Sequence, residues 1–327
     1  MPETNLNQTT DSAMATAMAR WTHPAAILVA TDLSDLDRLM PFALEQAIDS
    51  GARLILLHIL SPSASMSVDA LGMPYYEPAS GTEFAEKTLE PWCQLARRRS
   101  IACDALVREG RAAQQVAAVA RQFQADRVLL GTRSRSKLGK LLLGSVAEQV
   151  LRSVNLPVMT VGPEAHLAVK CDGQMRVVLH ATTLREASRP SAALACQIAA
   201  GQHANLVLLH VLPPREAMER AGMPTGLDSA AIHELRALSA ETGAGCCSSV
   251  EPVVVHGNPS IEILSEAVDR QADLIVLGAT ERSAFENLTR DRTIYRVLAH
   301  ARCPVLTLRE PQAKPAVARA HSFAFHS

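Results

Sequence analysis

The sequence has few aromatic residues and no long hydrophobic run. Aromatic side chains make up 3% of the 327 residues, whereas hydrophobic residues make up 48%, so leucine, valine and alanine must fill the interior. The apolar runs have the length of a β-strand and fall short of the roughly 20 residues of a membrane-spanning helix. Residues 1–20 also lack the basic and apolar regions of a secretory signal. We therefore expect a cytoplasmic protein that does not contact a membrane.

Neither charge nor cysteine spacing indicates a special partner. Lys and Arg (32) nearly balance Asp and Glu (33), which argues against a nucleic-acid partner. The seven cysteines show no CxxC spacing, so neither a zinc site nor a redox dithiol is predicted from their pattern, and they fit a reducing compartment. They are Cys93, Cys103, Cys171, Cys196, Cys246, Cys247 and Cys303.

Sequence motifs of well-known enzymes are missing. Gly139-Lys140 is followed by Leu141, and Ser134 stands where a Walker A loop has its first glycine. The sequence has no GxSxG or HExxH motif, and no general base or nucleophile stands out. We expect a protein that is not a dedicated enzyme, with slow ATP hydrolysis as an open alternative.

The chain contains a duplication. Residues 53–60 read RLILLHIL and residues 205–212 read NLVLLHVL, with the histidine at the same place. Three further pairs occur in the same order in both halves, which indicates two copies of one unit. These pairs are residues 27–33 with 178–184, residues 125–132 with 272–279, and residues 156–158 with 303–305.

Each half alternates short apolar runs with longer amphipathic segments. This alternation predicts an α/β fold of two tandem, doubly wound, five-stranded parallel sheets of Rossmann-like type. The predicted strands are residues 26–31, 53–59, 102–108, 126–131 and 157–162, then 176–181, 204–211, 250–256, 273–278 and 304–309. The predicted organisation is a flexible extension (1–22), domain 1 (23–163), a linker, domain 2 (174–310) and a flexible tail (311–327).

A basic, glycine-bearing loop follows the fourth predicted strand. Ligands of doubly wound sheets bind at the carboxyl ends of the strands, where the strand order reverses. Gly131 and Gly144 allow close backbone approach, and the amides of residues 144–146 begin a helix. Arg133, Arg135, Lys137 and Lys140 add positive charge. These features suit a polyphosphate, although a solvated loop capped by Ser145 explains them equally well.

The loop and the repeat together resemble the universal stress protein family. Its ATP-binding members carry Gly, two residues, Gly, nine residues, then Gly and Ser or Thr. Gly131, Gly144 and Ser145 match this motif, as does the TDLS segment at residues 31–34, but Ser134 replaces the second glycine. The resemblance implies an adenine-nucleotide site, with Mg²⁺ carried by the ATP. Its residues would be Asp32, Ile59, Gly131, Arg133, Ser134, Gly144, Ser145 and Val146.

For two of these residues a purely structural role remains an alternative. Asp32 could cap a helix together with Ser34 and Asp35, and Ile59 could be a core residue. His58 and His210, at equivalent positions in separate domains, are predicted to be structural.

The second half departs from the motif. Thr183 replaces Asp32, Glu281 replaces Ser134, and Asp291-Arg292 replaces Gly144-Ser145. Carboxylates at these places would repel phosphate, so domain 2 is predicted not to bind ATP. By the resemblance, residues 157–162 and 304–309 should pair within the chain as an internal pseudo-dimer, which could form a homodimer.

The predicted function is therefore that of a stress-response regulator that binds ATP or another adenine nucleotide in domain 1. The alternative is a nucleotide-independent scaffold that binds a protein partner.

Overall fold

The computed structural model describes most of both halves of the chain. The described residues are 16–61, 66–68, 74–76, 78–132, 143–166, 175–242, 247, 249–280 and 292–310. The tail at residues 311–327 and most of the predicted phosphate loop lie outside them.

The first half contains the five predicted strands and their helices. β1 (Ala26–Thr31) is buried along its whole length, as expected for a central strand covered on both faces. The other strands are β2 (Arg53–Leu60), β3 (Met66–Val68), β4 (Pro74–Tyr76), β5 (Cys103–Glu109), β6 (Arg127–Gly131) and β7 (Val158–Val161). The helices are α1 (16–22), α2 (Leu36–Ser50), α3 (Pro78–Arg98), α4 (Ala112–Gln122) and α5 (Ser145–Ser153).

The second half repeats this order. Its strands are β8 (Val177–Ala181), β9 (Asn205–Leu212), β10 (Ser249–His256), β11 (Leu274–Thr280) and β12 (Val305–Glu310). Its helices are α6 (Arg189–Gly201), α7 (Arg215–Arg220), α8 (Leu227–Glu241), α9 (Pro259–Asp269) and α10 (Arg292–His300). The ten predicted strands are confirmed to within two residues at each end. The short β3–β4 hairpin and α7 are additional elements.

All ten long strands join in one sheet, whose order is β10-β9-β8-β11-β12-β7-β6-β1-β2-β5. Within each half the strands are parallel, and β12 pairs with β7 in the antiparallel sense. The prediction that the fifth strands meet within the chain is therefore confirmed. Because this central pair is antiparallel, the strands of the first half run in the opposite direction to those of the second half. The carboxyl ends of the two sets of strands therefore lie on opposite sides of the sheet, at opposite ends of the strands.

Side chains from both halves form the interior. One cluster of buried residues includes Leu56 and Met159 of the first half with Leu206 and Leu306 of the second. At the boundary, the Arg309 guanidinium donates to the carbonyl of Arg152, at the end of α5, over 2.8 Å. The two halves therefore share one continuous core.

The sequence predicted a flexible extension over residues 1–22, but residues 16–22 are helical. They form α1, in which Met18 is buried. The Arg20 guanidinium contacts the Asp126 carboxylate at 2.6 Å, and the Thr22 hydroxyl donates to Gln197 of the second half at 2.8 Å. Periodicity did not predict this helix because its contacts are with distant parts of the chain.

Candidate functional site

The predicted site lies where β1 and β6 end side by side. The two strands are parallel neighbours, with Ala30 in register with Leu130. The next strand along the chain, β2, lies on the other side of β1, so the order of the strands reverses between β1 and β6. Crevices at such switch points hold the ligands of open α/β sheets. Residues 31–38 and 131–132, together with the start of α5, lie at this switch point.

Asp32 is exposed at the edge of the crevice. Its Oδ1 accepts hydrogen bonds from the Ser34 amide at 2.9 Å and the Ser34 hydroxyl at 2.6 Å. The Thr31 hydroxyl accepts from the Leu33 amide at 2.9 Å, and Leu33 has a left-handed φ of 73°. These local bonds hold the turn that precedes α2. Asp32 thus takes the turn-forming role considered for it, while its carboxylate still faces solvent.

The most constrained part of the site is the contact between Gly131 and α2. A Cβ at Gly131 would collide with the Asp35 carboxylate and come within 3.1 Å of the Arg38 Nη2. Only glycine leaves room for these two side chains, which are 13% and 18% exposed. The Thr31 hydroxyl donates to Asp35 at 2.6 Å. Burial nevertheless raises the pKa of Asp35 above its usual value.

The partly buried Arg38 side chain has unsatisfied hydrogen-bond donors. Its Nη2 lies 3.9 Å from the Asp35 carboxylate, which is too long for a hydrogen bond. The Nε and Nη2 atoms are buried without a hydrogen-bond partner. Buried donors without acceptors are rare in proteins because they lose their hydration without compensation. An acceptor that enters the crevice would remove this cost.

A second unsatisfied group adjoins Gly131. The Thr132 hydroxyl is buried and has no hydrogen-bond partner. The Thr132 carbonyl accepts from the Gly144 amide at 3.0 Å. This bond brings Gly144, the N-cap of α5, next to the end of β6.

The Gly144 bond changes the predicted role of one amide. The helix-start amides were predicted to begin at Gly144, but its N–H is already used by Thr132. Within the described part of the chain, the amides that remain for a ligand are those of Ser145, Val146 and Ala147. Ser145 and Val146 are exposed, and Val146 is 44% exposed. The positive end of the α5 dipole therefore lies next to the end of β6.

The remaining predicted residues are less well placed or not described. Ile59 is half-buried and packs against the core cluster that contains Leu57 and Val116. It therefore serves as a core residue. Arg133 and Ser134 lie outside the described residues, as do Glu281 and Asp291 in the second half.

The corresponding edge of the second half carries different chemistry. Ala279 stands where Thr132 does, so the hydroxyl is missing. The Thr183 hydroxyl contacts Ser188 at 3.0 Å. Further along the sheet, at the end of β10, Asp228 contacts His256 at 2.9 Å and Arg215 at 2.8 Å. These contacts hold α8 to the end of β10.

The paired histidines act in the structure as predicted. His58 Nδ1 bonds to the Thr31 carbonyl at 3.0 Å, and His210 Nδ1 bonds to the Thr182 carbonyl at 2.9 Å. Each ring thus ties the second strand of its half to the end of the first strand.

Among the described residues no cluster of three metal-ligating side chains occurs, and no helix is long and apolar enough to cross a bilayer.

Sequence reasoning missed Arg38 and Thr132. Arg38 lies on the first turn of a helix whose pattern indicates only a core face, and its contact with Gly131 is long-range. Thr132 immediately follows the motif glycine, so its position was a signal, but burial of its hydroxyl becomes evident only in the folded chain.

Comparisons with known proteins place both halves in one family. The universal stress protein family matches residues 25–162 and, separately, residues 175–309. A universal stress protein of Thermus aquaticus is 34% identical over 139 residues, covering 41% of this chain and 96% of the relative. One of Mycobacterium tuberculosis is 29% identical over 193 residues, covering 57% of this chain and 63% of the relative. The chain thus spans less than two thirds of the mycobacterial relative.

Solved structures show the same architecture over the whole chain. A universal stress protein of Archaeoglobus fulgidus superposes with a TM-score of 0.69 at 18% identity, covering 90% of this chain and 99% of that chain. A protein of Pseudomonas aeruginosa, titled as functionally unknown, superposes with a TM-score of 0.60 at 16% identity, covering 89% of this chain and 95% of that chain. At these identities the likeness concerns the fold.

Proposed function

The chain belongs to the universal stress protein family, in a tandem two-domain form, and on that premise we propose that domain 1 binds ATP or another adenine nucleotide to regulate a stress response. The observation that carries this proposal is the pair of unsatisfied buried groups around Gly131. The Arg38 Nε and Nη2 atoms and the Thr132 hydroxyl lack hydrogen-bond partners at the edge where ligands of such sheets bind. A phosphate group there would accept hydrogen bonds from both residues.

The proposal assigns each part of the nucleotide to one side of the crevice. The amides of Ser145, Val146 and Ala147 would hold phosphate oxygens at the start of α5. Arg38 would face the same oxygens from α2, and Mg²⁺ would arrive with the nucleotide. Asp32, exposed at the rim, would face the nucleoside, and Ile59 would line the base pocket.

We assign the two domains different tasks. Domain 1 (23–163) would carry the ligand and domain 2 (174–310) would support it, because the second half has neither the Thr132 hydroxyl nor the Gly144-Ser145 pair. A cytoplasmic location agrees with the free thiols among the described cysteines.

Equilibrium binding of ATP with Mg²⁺ to the purified full chain tests this function. We expect saturable binding that Gly144→Asp abolishes, because a carboxylate at the start of α5 repels phosphate. Arg38→Gln should weaken binding about tenfold or more, the typical cost of losing one charge-assisted hydrogen bond.

A matched substitution in the second domain serves as the control. Arg189 begins the helix that corresponds to α2 and pairs with Glu241 at 3.1 Å. Arg189→Gln should leave the ATP affinity unchanged. Absence of saturable binding to the wild-type chain would end the proposal, and binding that both domain 1 variants retain would place the nucleotide elsewhere.

One observation favours the alternative of a nucleotide-independent scaffold. The Asp35 carboxylate occupies the space over Gly131, where it would repel a phosphate if ionised. Asp35→Asn separates the two functions. It should raise ATP affinity if the crevice is a nucleotide site, and it should leave the chain without affinity if the protein is only a scaffold.

A further inference from the structure

Two cysteines at the outer edge of domain 1 lie in contact. Cys93 on α3 and Cys103 at the start of β5 place their Sγ atoms 2.9 Å apart. A disulfide bond has an S–S length of about 2.0 Å, so the two atoms need to approach by only about 0.9 Å. Both residues are buried, and both are free thiols.

The surroundings distinguish Cys93 from the other described thiols. The hydrogen bond from Cys103 lowers the pKa of Cys93 by more than burial raises it, and the nearby Arg97 guanidinium lowers it further. Arg97 is fixed there because its Nη2 donates to the Cys103 carbonyl at 2.7 Å. By contrast, burial raises the pKa of Cys196 to about 11 and that of Cys303 to about 12. Thiolates are the reactive form of cysteine.

Cys196 and Cys247 lie near each other, and their thiols bond to other groups. The Cys196 Sγ lies 3.0 Å from the Thr242 hydroxyl, and the Cys247 Sγ points to the Cys196 carbonyl at 3.5 Å. The Sγ–Sγ distance of 2.9 Å therefore identifies Cys93 and Cys103 as a close thiol pair.

We propose that Cys93 and Cys103 form a redox site that a hydroperoxide oxidises to an internal disulfide. The Cys93 thiolate attacks the peroxide O–O bond, which gives a sulfenic acid at Cys93 and releases an alcohol, or water from hydrogen peroxide. The Cys103 thiol then attacks the Cys93 sulfur, so that the S–S bond forms and water leaves. The two thiols lose two electrons and two protons in total, and the peroxide is reduced. A small-molecule thiol reverses the reaction by disulfide exchange.

The disulfide would join a helix to an edge strand. Among the described strands, β5 is the last strand of the sheet on its side and pairs with β2 alone. A bond from Cys103 to α3 would close a short loop and restrict the unfolded chain. Oxidation should therefore make this edge harder to unfold. The site uses no nucleotide contact, so its test is independent of the proposed function.

Peptide mapping under non-reducing conditions tests the site in the wild-type chain. After treatment with hydrogen peroxide and alkylation in denaturant, we expect a peptide pair linked through Cys93 and Cys103, with Cys196 and Cys303 alkylated. After treatment with a reducing thiol, Cys93 and Cys103 should again be alkylated. The oxidised chain should unfold at a higher urea concentration than the reduced chain.

Single variants distinguish the attacking thiol from the resolving thiol. In Cys103→Ala, a 1,3-diketone probe should label sulfenic acid at Cys93, whereas Cys93→Ala should give no label at Cys103. Cys196→Ala, the matched control in domain 2, should keep the disulfide. The proposal is overturned if peroxide leaves both thiols of the wild type free, or if the mapped disulfide joins other cysteines.

Discussion

A histidine lies inside the sheet of the second half. His180 on β8 has no exposed surface, and its Nδ1 bonds to the Val276 carbonyl at 3.0 Å. Its Nε2 is buried without a partner, so a proton there would place an uncompensated charge in the core. Burial lowers the pKa of His180 to about 4 from an ordinary value of 6.5.

This lowered pKa predicts acid sensitivity. His180 is neutral in both states above pH 6.5, so its contribution to stability is fully present there. Between pH 6.5 and about 4 the unfolded chain takes up the proton first, and stability is lost. From pH 7 to pH 5 the free energy of unfolding should fall by about 2 kcal/mol through this residue.

Urea unfolding at the two pH values measures this loss. His180→Leu should remove it, because no proton is then taken up at this position. A surface histidine provides the control: His166→Asn should keep the full decrease. An unchanged pH dependence in His180→Leu would show that another group is responsible.

At the scale of the elements, a glycine marks the contact between the two halves. Gly162 follows β7, and a Cβ there would come within 3.2 Å of the Leu298 carbonyl and 3.4 Å of the Ala301 carbonyl. These are backbone atoms at the end of α10, which cannot move as a side chain does. The end of β7 therefore depends on the absence of a side chain.

Gly162→Ala is expected to destabilise the protein by about 1 kcal/mol through this overpacking. The same substitution at Gly81 is the matched control. Gly81 lies within α3, where, of the described residues, an added Cβ meets the Leu60 side chain alone, at 3.4 Å. Gly81→Ala should stabilise the protein by up to about 1 kcal/mol, because alanine favours the helix. Urea unfolding of both variants checks the opposite signs, and equal effects would contradict this account.

The elements themselves were largely predictable. Buried parallel strands such as Ala26–Thr31 are continuous apolar runs, and the repeat supplied a second copy of each signal. The N-terminal helix was not predictable, because Arg20 and Thr22 find their partners far along the chain. For the same reason the sequence indicated the motif glycine at residue 131 but not its contact with Arg38. The Cys93–Cys103 pair was missed because its spacing follows no known motif.

At the scale of the whole molecule, the shared core predicts cooperative unfolding. Buried residues of both halves belong to the same clusters, so loss of one half would expose the facing surface of the other. We expect one transition in urea. Trp21 and Trp92, the chain's two tryptophans, report on the first half by fluorescence, while circular dichroism reports on both halves.

The two signals should therefore have the same midpoint. Arg309→Ala, which removes the bond to the Arg152 carbonyl, should lower that common midpoint without splitting the curve. Different midpoints for fluorescence and circular dichroism would mean that the halves unfold separately.

The antiparallel pairing of β7 with β12 also determines how the protein responds to dilution. When two separate chains share a sheet, their association depends on protein concentration and is lost as they are diluted. Here the covalent connection keeps the effective concentration of the two strands constant. The central pair of the sheet therefore has a fixed stoichiometry at any abundance of the protein in the cell.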